Sequence, residues 1–139
     1  MIKIEYGNIL KVKEDIICHQ VNCMGVMGSG LAKQIRAKYP EVFDKYKELC
    51  EAQKIMYENG LAKSKYLLGS VQIVNCKDGK IVANLFGQQS FGLDKRYTDY
   101  DALKSSLLGL KNLTTSEYST INNKSIAIPY NLGMTGLIS

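Results

Sequence analysis

His19 is the one histidine in the sequence. It stands three positions before Asn22, which opens the stretch Asn22-Cys23-Met24-Gly25-Val26-Met27-Gly28-Ser29-Gly30. Imidazole is the side chain best suited to exchanging protons near neutral pH. Glycines that lead into a helix expose backbone N–H groups, and the helix dipole adds favourable potential for an anion. Gly25, Gly28 and Gly30 can take positive φ and admit close approach of a phosphate. The stretch matches neither the Walker A pattern nor G-x-G-x-x-G, which disfavours a kinase-like or nicotinamide-dependent enzyme. A cradle for a nucleotide diphosphate is left standing. The competing readings are a tight turn packing a helix on a sheet, and a core histidine.

Two further glycine-bracketed stretches, Gly87 to Gly92 and Asn131 to Gly136, follow apolar runs in the same way. Asp94, Asp99 and Asp101 come after the second stretch as candidate carboxylates, although near a helix start such residues serve more often as caps. Phe86, Phe91, Tyr97 and Tyr130 lie in or beside these stretches, where a ring could stack on a base or pack on a ribose. No Ser-x-Gly nucleophile elbow is present, so a Ser-His-Asp or Cys-His machine would have to use His19. Cys18, Cys23, Cys50 and Cys76 form no C-x2-C pair and read as small buried apolar residues. Neither a metal site nor a bound cofactor is expected.

These groups need elements to hold them. Ile2 to Glu5 alternates like a strand, Gly7-Asn8 breaks it, and Asp15 to Val21 reads as a strand covered on both faces. Leu31, Ile35 and Tyr39 recur as on one helical face. Pro40 interrupts that helix, and Val42, Phe43, Tyr46, Leu49 and Cys50 supply a second apolar stripe. Met56 to Lys65 reads as a loop. Val71 to Asn75 and Ile81 to Phe86 read as strands joined by the turn Lys77-Asp78-Gly79-Lys80. A helix is expected from about Thr98 through Leu110, then polar connection from Asn112 to Asn123, then a strand at Ser125 to Ile128. This order implies an α/β sandwich with a mixed sheet, whose ligands bind where loops leave the carboxyl ends of strands.

The chain of 139 residues carries 18 Lys plus Arg against 13 Asp plus Glu, a net charge of +5, with 45% hydrophobic and 22% charged residues. That is the composition of one ordinary domain. The basic residues are spread rather than clustered, which disfavours an RNA-binding module. No segment approaches the roughly 18 apolar residues of a membrane span, and the N-terminus lacks a secretory pattern, so a cytoplasmic protein is expected.

Several segments together resemble one family. HQVNCMGVMGSGLAKQIRAKYP is similar to the ligand loop and first helix of macrodomains, the ADP-ribose-binding α/β/α modules. EYGNILK, ANLFGQQSFG, RYTDYDALKSSL and IAIPYNLG follow in the family's order, across nearly the whole chain. The branch most resembled is the yeast-type ADP-ribose-1″-phosphate phosphatases; a related branch removes ADP-ribose from protein or DNA. The resemblance implies a single three-layer α/β/α domain over residues 1–139 with a mixed central sheet. It implies ADP-ribose or its 1″-phosphate as ligand, with ADP-ribosylated protein or nucleic acid as further partners. Asn22 would contact the distal ribose, and Gly28, Ser29, Gly30, Leu31 and Ala32 would line the phosphate path. Asn131, Leu132, Gly133, Met134, Thr135 and Gly136 would form a second phosphate loop. Phe86, Gly87, Gln88 and Ser90 would wall the distal ribose, and Gly7, Asn8 and Ile9 would meet adenine. His19 matches the phosphatase branch's proposed acid or base. A non-catalytic reader needs the same cradle without that group.

The chain also departs from the family. Asn8 replaces the usual adenine-binding aspartate. The lysine and aspartate of the glycohydrolase branch have no counterpart near Gln88 or Thr135 to Leu137. Met134-Thr135-Gly136-Leu137 differs from the usual Gly-Cys-Gly-Leu. The sequence stops at Ser139, before the family's last helix and edge strand, so an uncovered sheet face and self-association are expected.

Overall fold

The computed structural model describes residues 4–92, 97–130 and 132. After a 3-10 turn at Ile9–Lys11 come β1 (Ile16–Asn22), α1 (Gly30–Lys38), α2 (Pro40–Glu58), β2 (Val71–Asn75), β3 (Ile81–Gln88), α3 (Tyr100–Thr115) and β4 (Ile126–Ala127). The sheet order is β2-β3-β1-β4. The β2–β3 pair is antiparallel, as its short turn requires, while β1 is parallel to both β3 and β4.

β1 is buried along its whole length and β3 along all but its last residue. Their near-continuous apolar runs follow from helices on both faces. On one face α1 and α2 bring Ile35, Tyr39, Val42 and Tyr46 against Val21, Val82 and Phe86. On the other, α3 brings Leu103 and Leu110 against Ile16, Cys18, Ala83 and Leu85. The result is a three-layer α/β/α sandwich with a mixed sheet. Pro40 sits at the first position of α2, where its missing N–H breaks no helical bond, and Tyr39 makes the corner with α1.

Several boundaries differ from the sequence reading. α2 continues to Glu58 before Gly60 N and Leu61 N close its end on Tyr57 O and Met56 O, so the expected loop begins later. α3 runs on to Thr115 because Leu113 and Thr114 still face inward. β3 extends beyond Phe86 to Gln88, which puts Gly87 and Gln88 in the strand as well. β4 is shorter than Ser125 to Ile128. Of the expected first strand, Ile4 and Glu5 are exposed and not in a strand; Ile2 and Lys3 lie outside the described residues.

Beside α3 and β4 lies an apolar groove of about 500 Å³, floored by Leu103, Leu107, Leu110, Ile126 and Ile128. Among the described residues no helix is long and apolar enough to cross a membrane.

Candidate functional site

Backbone bonds tie the segment leaving β1 to the segment leaving β3, and the segment leaving β4 to β1 itself. Cys23 N donates to Gln89 O at 3.1 Å, and Gln20 N donates to Leu132 O at 2.8 Å. A register shift between Val21 and Asn22, where Asn22 pairs with Gln88, re-aims the end of β1. Beyond it, Asn22 folds its own loop. Its Oδ1 accepts from Met24 N at 2.9 Å and from the Tyr46 hydroxyl at 2.8 Å, and its Nδ2 donates to Val26 O at 2.8 Å. The Asn22 side chain is thus a loop-former, 6% exposed, with one amide hydrogen remaining.

Gly25 at φ 77° and Gly30 at φ 59° occupy the left-handed region, where the loop turns and where it enters α1. Gly28 does not. Met27 anchors the loop in the core at 1% exposure, while Gly28, Ser29 and Gly30 stand in solvent. Ser29 makes no side-chain cap bond, so no hydroxyl covers the exposed N–H groups at the start of α1. The electropositive end of the helix therefore faces water.

His19 is placed otherwise than its type suggests. Its ring is fully buried on the face that α2 covers, and its Nε2 lies 2.6 Å from Asn84 Oδ1, its in-register partner on β3. Asn84 Nδ2 donates to Gln72 Oε1 on β2 at 3.0 Å, and Gln72 Nε2 donates to Lys45 O on α2 at 3.1 Å. With Asn84 Nδ2 so committed, the His19 proton belongs on Nε2. Burial pushes the His19 pKa down to about 4, against the opposing pull of the Asn84 bond, so the ring is neutral. Its Nδ1 is buried and has no hydrogen-bond partner among the described residues. Contrary to the expectation of an imidazole presented to a ligand, the ring is enclosed and pins β1 to β3.

Phe86 is also corrected. Its side chain is fully buried, 5.9 Å from the Tyr46 ring centroid, and cannot wall a cleft. Gly87 is equally interior. A Cβ there would overlap the side-chain oxygen of Gln20 and come within 3.0 Å of Leu103 Cδ1. Gln20 donates to Thr98 Oγ1 at 3.1 Å, Thr98 bridges to Gln88, and Asp99 N donates to Gly87 O at 2.7 Å. These bonds close the neck of the loop that carries Ser90 and Phe91. Gln88 and Ser90 are half-buried at its near end.

Asn8 Oδ1 accepts from Leu10 N at 2.9 Å and caps the 3-10 turn, with Gly7 exposed before it and Ile9 half-buried after it. Asp99 caps α3 by accepting from Ala102 N at 3.1 Å, and Asp101 lies in the first turn, so both act on the helix. Phe91 and Tyr130 are exposed on the loops after β3 and β4. Asp94, Asn131, Gly133, Met134, Thr135 and Gly136 lie outside the described residues.

Burial pushes the thiols of Cys23 and Cys50 up to about 11, which keeps both protonated and poorly nucleophilic near neutral pH. Among the described residues no group of three or more His, Cys, Asp or Glu could hold a metal ion. Sequence reasoning missed Tyr46 and the Gln20–Thr98 clasp as parts of the loop edge. The available signal was a phenol within an apolar helical stripe, since a buried tyrosine hydroxyl requires a partner.

No family model matches. Over 134 residues the chain is 31% identical to the ADP-ribose 1″-phosphate phosphatase of Saccharomyces cerevisiae (strain YJM789), covering 91% of this chain and 73% of that protein. Over 55 residues it is 36% identical to the DNA ADP-ribosyl glycohydrolase of Mycobacterium tuberculosis, covering 40% of this chain but only 16% of that protein. Among solved structures, the macrodomain of Mycobacterium tuberculosis DarG superposes with a TM-score of 0.67 at 22% identity, over 97% of this chain and 82% of that one. Thermosipho africanus DarTG, solved in complex with ADP-ribose, gives a TM-score of 0.67 at 17% identity, over 91% of this chain and 32% of that one. With that sandwich and with similarity along most of the yeast phosphatase, the chain belongs to the macrodomain family.

Proposed function

We propose that the loop edge binds ADP-ribose or a derivative, and that the chain removes the terminal phosphate of ADP-ribose 1″-phosphate. The observation that carries this reading is the loop from Asn22, bonded at Cys23 to Gln89 after β3 and leading into the uncapped start of α1, with Leu132 after β4 bonded to Gln20 of β1. In a chain 31% identical to the yeast phosphatase, that edge offers backbone N–H groups to a diphosphate. Gly28 to Ala32 and the loop from Leu132 to Gly136 take the phosphates, Asn22 meets the distal ribose, and Gly7 to Ile9 meet adenine. The backbone from Gln88 to Ser90 stands near the distal ribose.

In the reaction a water oxygen attacks the terminal phosphorus and the bond to the C1″ ester oxygen breaks. That oxygen takes up one proton of the attacking water and the phosphate keeps the other, leaving ADP-ribose and inorganic phosphate. Backbone N–H groups stabilise the developing charge. His19, enclosed behind the loop, holds β1 against β3 and leaves the substrate to Asn22 and the backbone.

The burial of the lone histidine favours a second reading, a non-catalytic ADP-ribose reader. The stretch similar to a DNA ADP-ribosyl glycohydrolase favours removal of ADP-ribose from a macromolecule. A turnover screen over ADP-ribose 1″-phosphate, ADP-ribosylated protein and ADP-ribosylated DNA separates them. Phosphate release from the 1″-phosphate is expected. Release of ADP-ribose from protein or DNA alone would replace the phosphatase reading, and binding without turnover would leave the reader.

A further inference from the structure

Tyr46 lies on the inward face of α2, with no exposed surface. Its ring is held by the core, with centroids 6.4 Å from Phe43 and 5.9 Å from Phe86. Its hydroxyl does not end in the core. It lies 2.7 Å from the main-chain oxygen of Asn22 and 2.8 Å from Asn22 Oδ1, so one proton is shared between two oxygens of one residue. Burial pushes the phenol pKa up and the neighbouring Cys50 adds to the rise, while backbone N–H groups of Val26 and Gly25 offset part of it. The hydroxyl thus sits inside the curl of the loop from Asn22 to Val26.

The geometry points to Tyr46 as the positioning residue of the ligand loop: a post rooted in the α2–β3 core that turns both oxygens of Asn22 into the protein. The inference rests on the ADP-ribose reading above. Two consequences follow from the bonds. With Oδ1 held from below, Asn22 can keep Met24 N and Val26 O on the same side chain, which fixes the bend at Gly25. With the Asn22 carbonyl drawn inward, its lone pairs are kept away from an anionic ligand. A phenylalanine at position 46 would keep the ring contacts, yet leave two enclosed oxygens short of a donor. The loop would then relax while the core remained.

The test compares the intact chain with Tyr46→Phe by calorimetry, using ADP-ribose and ADP as probes, with thermal unfolding of both proteins. The wild-type chain is expected to bind ADP-ribose more tightly than ADP, because only ADP-ribose carries the distal ribose assigned to Asn22. In Tyr46→Phe the ADP-ribose Kd should rise about tenfold, the scale of a lost buried hydrogen bond, while the ADP Kd, read beyond the bend at Gly28 to Ala32, rises by clearly less, so that the preference for ADP-ribose shrinks. Full retention of the preference would overturn the positioning role. Equal losses for both probes, following a large fall in melting temperature, would reduce Tyr46 to a core residue and overturn it too. If the variant does not fold, hydrogen exchange on the wild-type chain decides. The Met24 amide should be protected, and exchange at the free-peptide rate would contradict the inference. A wild-type chain that binds neither probe sinks the ADP-ribose reading itself, a result distinct from these.

Discussion

A protonated imidazole is costly in a dry sheet, and His19 has only Asn84 to soften that cost. The consequence is a stability signature. Unfolded, the ring takes a proton near pH 6.5; folded, burial holds its pKa at about 4. Between those values the unfolded chain binds more protons, so stability rises with pH through that window. The contribution is complete above about pH 6.5 and is lost as pH falls through about 4, on the order of a few kcal/mol in all. Urea midpoints measured from pH 7 down to pH 4.5 should therefore fall. His19→Asn, which removes the only histidine, should flatten the slope over this range. The carboxylates whose pKa values are lowered, Asp15, Glu41 and Asp78, act at lower pH. An unchanged slope in the variant would mean the ring is hydrated. The strand around His19 was legible from its apolar run. Its partner was not, because Asn84 lies 65 positions away and meets it only through parallel register.

At the scale of elements, Gly87 shows why a loop was expected where a strand continues. Glycine between Phe86 and Gln88 reads locally as a break. In the structure it is the place where α3 packs closely on β3, with Leu103 and Gln20 filling the space a Cβ would need. Gly87→Ala should destabilise the chain by about 1–3 kcal/mol, the cost of overpacking, read as a lower urea midpoint. Adding Gln20→Ala should recover part of the loss, because it removes the overlapping atom. Strict additivity of the two effects would contradict the packing account. The extra turn of α3 was hidden for a related reason: Asn112, Thr114 and Thr115 are weak helix formers, and the inward placing of Leu113 and Thr114 carries them along. Pro40, by contrast, marked its boundary plainly, because proline acts on the backbone whatever surrounds it.

For the whole molecule, the alternation of strands with helical stripes was enough to give an α/β sandwich with a mixed sheet, while the three layers were implied by the family resemblance and the strand order β2-β3-β1-β4 was not legible. The sequence also marked the three glycine-bearing turns, but not how they are joined. That depends on Cys23 reaching Gln89, Gln20 reaching Leu132, and Tyr46 supporting Asn22 from another layer. Function in this account belongs to that assembled edge rather than to any one reactive side chain. The most direct measurement is isothermal titration of the unmodified chain with ADP-ribose. Saturable binding at one site per chain is expected. An absence of heat and of saturation with both ADP-ribose and its 1″-phosphate, up to millimolar ligand, would contradict it.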